Sequence, residues 1–256
     1  MKVALLQLDI AWEDVPANHA RAARLLDQAA GLGARLAILP EMFATGFSMD
    51  VHRIAQPEGG PTETFLRERA AALGLHLLAG VAEQAEPLPA NRALLVSPGG
   101  VVRRYTKIHP FSFAGEEKVM GSGLEVVTWD VEGLRVTPLV CYDLRFPEPF
   151  RLAAEETDLF AVVANWPERR RRHWSLLLQA RAVENLAYVA GVNRVGEGDD
   201  LRYLGDSALV GPWGETLLSA TEQETVLVAD VSPGTVAGAR RKFPVLADRR
   251  PGSYRR

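Results

Sequence analysis

Three residues that could carry out acyl transfer each follow an apolar stretch of the chain. Cys141, the only cysteine among 256 residues, comes directly after the stretch at 136–140. Glu41 follows residues 37–40, and Lys107 follows residues 101–106. A lone cysteine is usually a small apolar core residue, and a charged residue after a strand is usually solvated. Reactive or charged side chains at three such positions together indicate a site at the ends of strands.

Acyl transfer needs a nucleophile, a base and groups that stabilise the oxyanion of the tetrahedral species. The Cys141 thiol would be the nucleophile, and Glu41, in the apolar and glycine-containing surroundings of 42–47, would be the general base. We expect the Lys107 ammonium to lower the pKa of the thiol and to hold the oxyanion. The backbone N–H of Tyr142, directly after the cysteine, would be the second oxyanion donor.

The elements that must position these residues alternate between strands and helices in both halves of the chain. Apolar runs predict the strands, and helical spacing of apolar residues predicts the helices. Strands are predicted at 2–9, 35–39, 75–82, 93–96, 101–106, 126–131, 134–140, 159–164, 187–193, 204–210 and 224–231, and helices at 18–31, 61–73, 147–157, 173–185 and from 232 onward. These strands are too many for one doubly wound sheet, so we predict two packed sheets with helices on the outer faces.

The composition limits the class of protein. An apolar fraction of 47% is enough for a large core, and no shift in composition divides the chain, so we expect a single domain over 1–256. A net charge of −3 favours neither nucleic acid nor an anionic membrane as a partner, and no apolar run is long enough to span a bilayer. The single cysteine cannot form an internal disulfide, which favours the cytoplasm.

Four motifs resemble the nitrilase, or carbon–nitrogen hydrolase, superfamily. They are Leu-Pro-Glu at 39–41, Lys-Ile-His at 107–109, Cys-Tyr-Asp-Leu-Arg-Phe-Pro at 141–147 and Asn-Trp-Pro at 165–167. The resemblance extends over nearly the whole chain, from 4–7 to 243–246. It implies an α/β fold, a four-layer αββα sandwich of two mixed sheets, with Glu41 as base, Lys107 as oxyanion holder and Cys141 as nucleophile. It also implies a homodimer with the helices near 147–156 and 173–185 at the interface. The tail at 243–256 would be a free end or an arm that docks on the partner subunit.

The family also has a second glutamate between the lysine and the cysteine. Glu116 and Glu117 are both candidates for it. We choose Glu116 because it lies seven residues before Gly123, the spacing that this segment usually shows in the family. Pro110 stands where relatives often have leucine, so this loop is expected to differ locally.

Within the superfamily, residues 41–48 and 165–174 most resemble the ω-amidases, which deamidate 2-oxoglutaramate, 2-oxosuccinamate and related short dicarboxylic monoamides. Phe43 and Trp166 would then line the acyl pocket, the alternative being two ordinary core aromatics. The four arginines at 169–172 could attract the free carboxylate of the substrate, but such runs usually form a solvated face, so we leave them outside the site. We expect Arg145 to pair with Asp143, Glu148 or a partner chain rather than to bind substrate.

No cofactor and no metal are expected, because no Cys/His spacing suits zinc and no glycine-rich loop precedes a lysine. A phosphatase-like cysteine would need an arginine six positions later, where Pro147 stands. A papain-like pair would have to use His109 as its base. Within the superfamily, a ureidopropionase-like carbamoyl hydrolase, a deaminated-glutathione amidase, a broad aliphatic amidase and a true nitrilase are the alternatives. A non-enzymatic scaffold of this fold would typically lack one of the three reactive residues.

Overall fold

Strand β1 (Lys2–Gln7) shows how the fold is built, because its side chains alternate between two separate cores. Val3 packs in a core that also contains Val136, from the second half of the chain. Ala4 points the other way, into a core shared with apolar residues of helix α1 (Val15–Gly31). Successive side chains of a strand point to opposite faces of its sheet. One face of this sheet therefore meets a second sheet, and the other is covered by helices.

The computed structural model describes residues 1–253 of the chain. After β1, the strands are β2 (Leu36–Ile38), β3 (His76–Glu83), β4 (Ala90–Val96), β5 (Val102–Thr106), β6 (Trp129–Val131), β7 (Leu134–Val140), β8 (Leu159–Ala164), β9 (Tyr188–Asn193), β10 (Val195–Gly198), β11 (Leu201–Val210), β12 (Thr216–Thr221) and β13 (Thr225–Asp230). After α1, the helices are α2 (Val51–Ile54), α3 (Pro61–Leu73), α4 (Glu116–Val119), α5 (Pro147–Ala153), α6 (Arg171–Asn185) and α7 (Pro233–Lys242).

Both sheets are mixed. The first has the order β13-β1-β2-β3-β4-β5, in which β1, β2 and β3 are parallel. The second has the order β10-β11-β9-β8-β7-β6, with β12 paired to β11, and its central strands β7, β8 and β9 are parallel. Helices α1 and α3 cover the outer face of the first sheet, and α5 and α6 pack on the second. This arrangement confirms the predicted four-layer αββα sandwich.

Several elements differ from prediction in their bounds, and the short helices α2 and α4 are not predicted. Helix α1 begins three residues earlier than predicted, because Asp14 Oδ1 accepts a hydrogen bond from the Ala17 N–H and Pro16 fits the first turn. The strand predicted at 126–131 is paired only over Trp129–Val131. The edge strands β10 and β12 are not predicted, since their largely exposed residues lack the apolar alternation of a buried strand.

The described part of the C-terminal tail, residues 243–253, contacts its own chain. Leu246 is buried, and Arg249 forms an ion pair of 3.6 Å with Glu155. Residues 254–256 lie outside the described residues, and docking of the tail on a partner subunit stays a prediction. Within residues 1–253, no helix combines the length and the apolar character that crossing a membrane requires.

We expect Gly191→Ala to lower the free energy of unfolding, because β9 meets α6 with no space for a side chain. A Cβ at residue 191 would lie 2.5 Å from Leu178 Cδ1 and 2.8 Å from Trp174 Cζ2. Overpacking of this kind costs about 1–3 kcal/mol. Urea unfolding measures the loss. Gly31→Ala is the control, because nothing lies within 4 Å of that position, and equal effects of the two substitutions would contradict the prediction.

Candidate active site

The ends of three strands bring Glu41, Lys107 and Cys141 together. Lys107 and Cys141 directly follow β5 and β7, and Glu41 lies three residues after β2. Lys107 Nζ is 3.0 Å from Glu41 Oε1. Glu41 Oε2 accepts a hydrogen bond of 2.8 Å from the backbone N–H of Asn165, whose carbonyl oxygen lies 3.9 Å from Cys141 Sγ. The three predicted residues therefore share one site, where the two sheets meet.

Glu116 adds a second buried carboxylate to this site. Its Oε2 lies 2.8 Å from Lys107 Nζ, and its side chain is fully buried, whereas Glu117 is exposed. Asn91, which sequence analysis missed, donates from its amide to Glu41 Oε1 at 2.7 Å and to Glu116 Oε1 at 2.8 Å. One ammonium and one amide thus hold the two carboxylates together. An asparagine among the apolar residues of β4 is the only sign of this role in the sequence.

The charges of the site favour a charged Lys107 and a neutral Cys141. Burial by itself lowers the pKa of Lys107, but the charges of Glu116 and Glu41 exceed this effect and raise that pKa above its usual value. Burial, together with the negative charge of Glu41, raises the pKa of the Cys141 thiol well above its usual value, against the opposite effect of Lys107. Lys107 lowers the pKa of the thiol, as predicted, but burial and the charges of Glu41 and Glu116 exceed this effect, so the pKa is raised.

A strained turn carries the thiol. Cys141 has a φ of +44°, in the left-handed region that residues other than glycine rarely adopt. It begins the short 3-10 helix Cys141–Arg145, which directly follows β7. The first N–H groups of a helix have no carbonyl partner within that helix. The Tyr142 N–H is in this first turn, and its role as an oxyanion donor stays a prediction.

The backbone at Glu41 is fixed by its close approach to β3. The Gly80 N–H donates to the Pro40 carbonyl, and the Gly80 carbonyl accepts from the Phe43 N–H, both at 3.1 Å. A Cβ at residue 80 would lie only 2.3 Å from Glu41 Cα, so no residue other than glycine fits. From the other sheet, the Asn165 side-chain amide donates to the Glu41 carbonyl.

A cavity of about 270 Å³ is lined by Cys141 and by a largely aromatic wall. The aromatic residues of the wall are Phe47, Phe111, Phe113, Tyr142, Trp166 and Tyr203. Trp166 lines the cavity as expected, and its Nε1 donates to the Arg170 carbonyl at 2.8 Å. A volume of this size suits a small acyl chain. Across residues 1–253, no group of three or more His, Cys, Asp or Glu side chains could hold a metal ion.

Phe43 does not line this cavity, which corrects the prediction made for it. Its side chain is fully buried in the core beneath the outer helices, with its ring 6.3 Å from that of Phe65. Met42 has a φ of +43°, so the backbone turns directly before residue 43. Phe47, four residues later, lines the cavity instead, and the Lys107 ammonium lies 5.1 Å from the centre of its ring.

Arginines provide most of the charge on the cavity wall. The charged residues among the described residues of the wall are Arg145, Arg169, Arg170 and Asp199. The Arg145 guanidinium lies 4.7 Å from the centre of the Trp166 ring, and that of Arg170 lies 5.2 Å from the centre of the Phe111 ring. Three of the four arginines at 169–172 are exposed, as expected of a solvated run, but Arg169 and Arg170 also line the cavity. The expected pair of Arg145 with Asp143 is not formed, because the guanidinium of Arg145 lies beside His173 Nδ1 at 3.4 Å. Arg171 pairs with Asp206 at 2.8 Å.

We expect Glu41→Gln and Lys107→Met to shift the alkylation of Cys141 in opposite directions. Iodoacetamide reacts with the thiolate, so the pH of half-maximal rate follows the thiol pKa. Removal of the Glu41 charge should lower that pKa, and removal of the Lys107 charge should raise it. The rate of modification against pH, followed by mass spectrometry, measures both shifts. The exposed variant Glu117→Gln is the control, and two shifts in the same direction would refute the electrostatic account.

Two curated relatives and one solved structure are similar to this chain over nearly its whole length. The omega-amidase YafV of Escherichia coli K12 is 40% identical over 252 residues, with 97% of this chain and 96% of the relative covered. A 2-oxoglutaramate amidase of Paenarthrobacter nicotinovorans is 36% identical, with 95% and 90% covered. A CN-hydrolase superfamily protein of Xanthomonas campestris, solved with an arsenic adduct in its active site, has a TM-score of 0.93 at 37% identity, with 98% and 97% covered.

The family model described as carbon-nitrogen hydrolase matches residues 2–241, which include every residue placed in the site above. The match agrees with the observed sandwich and with the solved structure of similar fold. The chain belongs to the carbon–nitrogen hydrolase family and is a hydrolase of carbon–nitrogen bonds, other than peptide bonds, in linear amides.

Proposed function

We propose that the chain is an ω-amidase, which releases ammonia from short dicarboxylic monoamides such as 2-oxoglutaramate, 2-oxosuccinamate and succinamate. The observation that carries this proposal is the cationic and aromatic wall of the cavity that contains the Cys141 thiol. A substrate of this class has an amide for the thiol at one end and a carboxylate for the arginines at the other. The names of the two relatives, an omega-amidase and a 2-oxoglutaramate amidase, support the same class.

In the first half of the proposed reaction, Cys141 Sγ attacks the amide carbon. The thiol proton passes to Glu41 as the S–C bond forms, so no free thiolate accumulates beside two carboxylates. The Lys107 ammonium and the Tyr142 N–H hold the oxyanion. When the tetrahedral species collapses, the C–N bond breaks and Glu41 gives the proton to the leaving nitrogen. Ammonia departs, and a thioester remains on Cys141.

In the second half, water hydrolyses the thioester. Glu41 takes a proton from the water as its oxygen attacks the carbonyl carbon, and the oxyanion forms in the same place as before. Collapse breaks the C–S bond, the proton returns to sulfur and the dicarboxylic acid leaves. Glu116 exchanges no proton in this scheme. Together with Asn91 it holds Lys107 and Glu41 in place.

The far carboxylate of the substrate would bind to the arginines of the wall. The Arg170 guanidinium lies over the Phe111 ring, so its N–H edge is available to a ligand, whereas the Arg145 guanidinium, over the Trp166 ring, also contacts His173 Nδ1 at 3.4 Å. A guanidinium binds a carboxylate through two parallel N–H bonds, which fixes the direction of the chain between carboxylate and amide. Arg169, exposed at the rim, would add long-range attraction for an anionic substrate.

We expect succinamate, glutaramate and 2-oxoglutaramate to be hydrolysed much faster than butyramide, glutamine or simple nitriles. Butyramide has the chain length of succinamate but ends in a methyl group, so it leaves the arginines without a partner. Loss of a hydrogen bond to a charged group costs about 1.5–3 kcal/mol, which corresponds to roughly 10- to 150-fold in kcat/KM. Ammonia release over this panel is the measurement.

Three variants accompany the panel, and one of them is a matched control. Arg170→Gln should lower kcat/KM for succinamate more than for butyramide, whereas Arg172→Gln, in the same run but exposed and outside the wall, should leave both values unchanged. Cys141→Ala should lose turnover and the acyl adduct that mass spectrometry detects on the unsubstituted protein. Equal kcat/KM for butyramide and succinamate would rule out the proposed substrate class and favour a broad aliphatic amidase. Faster hydrolysis of a carbamoyl substrate would favour a ureidopropionase-like enzyme.

We also propose a homodimer that forms through α5 and α6. Three apolar side chains on these helices are exposed: Leu152 by 75%, Leu176 by 53% and Val183 by 49%. Leu176 and Val183 are seven residues apart and therefore lie on one face of α6. Exposed apolar side chains that cluster on neighbouring helices mark an interaction surface. A second copy of this chain is the occupant that the family resemblance predicts.

Light scattering during size exclusion should give about twice the chain mass of 28.0 kDa at micromolar concentration. The double variant Leu176→Glu and Val183→Glu should give the mass of one chain, because it would place four charges in the interface. Leu124→Glu is the matched control, since Leu124 is 98% exposed outside these helices. A mass near 28.0 kDa for the unsubstituted protein would contradict the dimer.

A further inference from the structure

Asp143, two residues after Cys141, is fully buried and accepts four hydrogen bonds. Its Oδ1 faces the backbone N–H of His109 at 3.0 Å and His109 Nδ1 at 2.8 Å. Its Oδ2 accepts from the Tyr105 hydroxyl at 2.8 Å and from the Val140 N–H at 3.0 Å. An ionised carboxylate only accepts hydrogen bonds, so His109 Nδ1 carries a hydrogen here. Each carboxylate oxygen thus has two donors.

These donors come from the two segments that carry the proposed nucleophile and the proposed oxyanion holder. Val140 directly precedes the cysteine, and Tyr105 and His109 lie two residues before and after Lys107. The strands that lead into these segments, β5 and β7, belong to different sheets, so no strand pairing sets their spacing. The carboxylate of Asp143 joins the two segments through direct hydrogen bonds.

The same carboxylate holds the turn at Cys141. A positive φ is unfavourable for a residue with a Cβ and persists only where the surrounding structure fixes it. The bond from the Val140 N–H to Asp143 Oδ2 closes this turn around the cysteine. On the far side, the His109 ring stacks on Phe146, with centroids 3.8 Å apart and planes 9° from parallel. The donor to Asp143 is therefore itself held in place.

We infer that Asp143 is a positioning residue, which sets the place of the Cys141 thiol relative to the Lys107 ammonium through its bonds to Val140, Tyr105 and His109. The inference rests on the roles proposed above for Cys141 and Lys107. Asp143 acts through the segments that carry these residues. Misplacement of an attacking group relative to the oxyanion holder lowers turnover far more than substrate binding, because their alignment matters in the transition state.

Two substitutions of His109 test the inference, because they differ in the side-chain bond to Asp143. Asparagine has Nδ2 one bond from Cγ, where histidine has Nδ1, so His109→Asn can still donate to Asp143. His109→Leu has a similar size and cannot donate. Both variants lose the ring that stacks on Phe146, and both keep the backbone N–H donor. The His109 side chain is 27% exposed, so both variants are expected to fold, which thermal unfolding checks.

We expect kcat for succinamate to be roughly 10- to 100-fold lower in His109→Leu than in His109→Asn, with similar KM and similar thermal stability. Alkylation of Cys141 by iodoacetamide at neutral pH should also be slower in His109→Leu, because the ammonium that favours the thiolate is no longer held near it. Asp143→Asn should show the larger loss, since its NH₂ group would face two donors. Equal kcat in the two His109 variants, or a difference confined to KM, would overturn the inference.

The alkylation rate separates failure of this inference from failure of the proposed function. If the unsubstituted protein hydrolyses an amide, the ratio of kcat between the two His109 variants decides whether Asp143 has the positioning role. If it hydrolyses none of the amides, the proposed function fails and the ratio of alkylation rates decides instead. A higher rate in His109→Asn then supports the positioning role, and equal rates overturn it.

Discussion

The rest of the site depends on the ion pairs that the buried Lys107 ammonium forms with Glu41 and Glu116. Buried charges are tolerated only when they are paired and hydrogen-bonded. Removal of one member of a buried ion pair costs about 3–5 kcal/mol, because its partner stays behind uncompensated. Asn91 and the backbone N–H of Asn165 supply further donors to the carboxylates. The contacts that satisfy these charges also align the groups of the proposed reaction.

This arrangement of charges also affects the protonation of the Cys141 thiol, the proposed nucleophile. Burial and the charges of Glu41 and Glu116 raise the pKa of the Cys141 thiol against the opposite effect of Lys107, which favours the protonated sulfur. Oxidants and alkylating agents react with the thiolate rather than with the thiol. A cysteine with a raised thiol pKa is therefore less reactive toward oxidants and alkylating agents. In the proposed reaction it becomes nucleophilic when a bound amide offers an electrophilic carbon and its proton can move to Glu41.

The site residues that could be predicted from the sequence are those whose neighbours along the chain indicate their position in the fold. Glu41, Lys107 and Cys141 each follow an apolar run, which indicates that all three lie near strand ends. Cys141 comes from the second sheet, so its contact with the other two depends on how the two sheets pack. The roles of Asn91 and Asp143 could not be predicted in this way, because most of their hydrogen-bond partners lie in distant segments. Phe43 and Phe47 are equally aromatic, so residue type alone does not show which of them lines the cavity. The direction of the thiol pKa shift depends on burial and on charges from three segments, which no single motif contains.

The location of the site between two sheets has a consequence for the order of synthesis. The groups contributed by the first sheet, Glu41 and Lys107, leave the ribosome before the groups contributed by the second, Cys141 and Asn165. The first sheet is itself incomplete until β13 pairs with β1 along six residues, and β13 is translated after every strand of the second sheet. Lys107 and its partners Glu41 and Glu116 are all translated before Cys141, so the charges can pair before the second sheet that helps to bury them has been made. The thiol and the Asn165 N–H therefore join a cluster of charges whose members are already present in the chain.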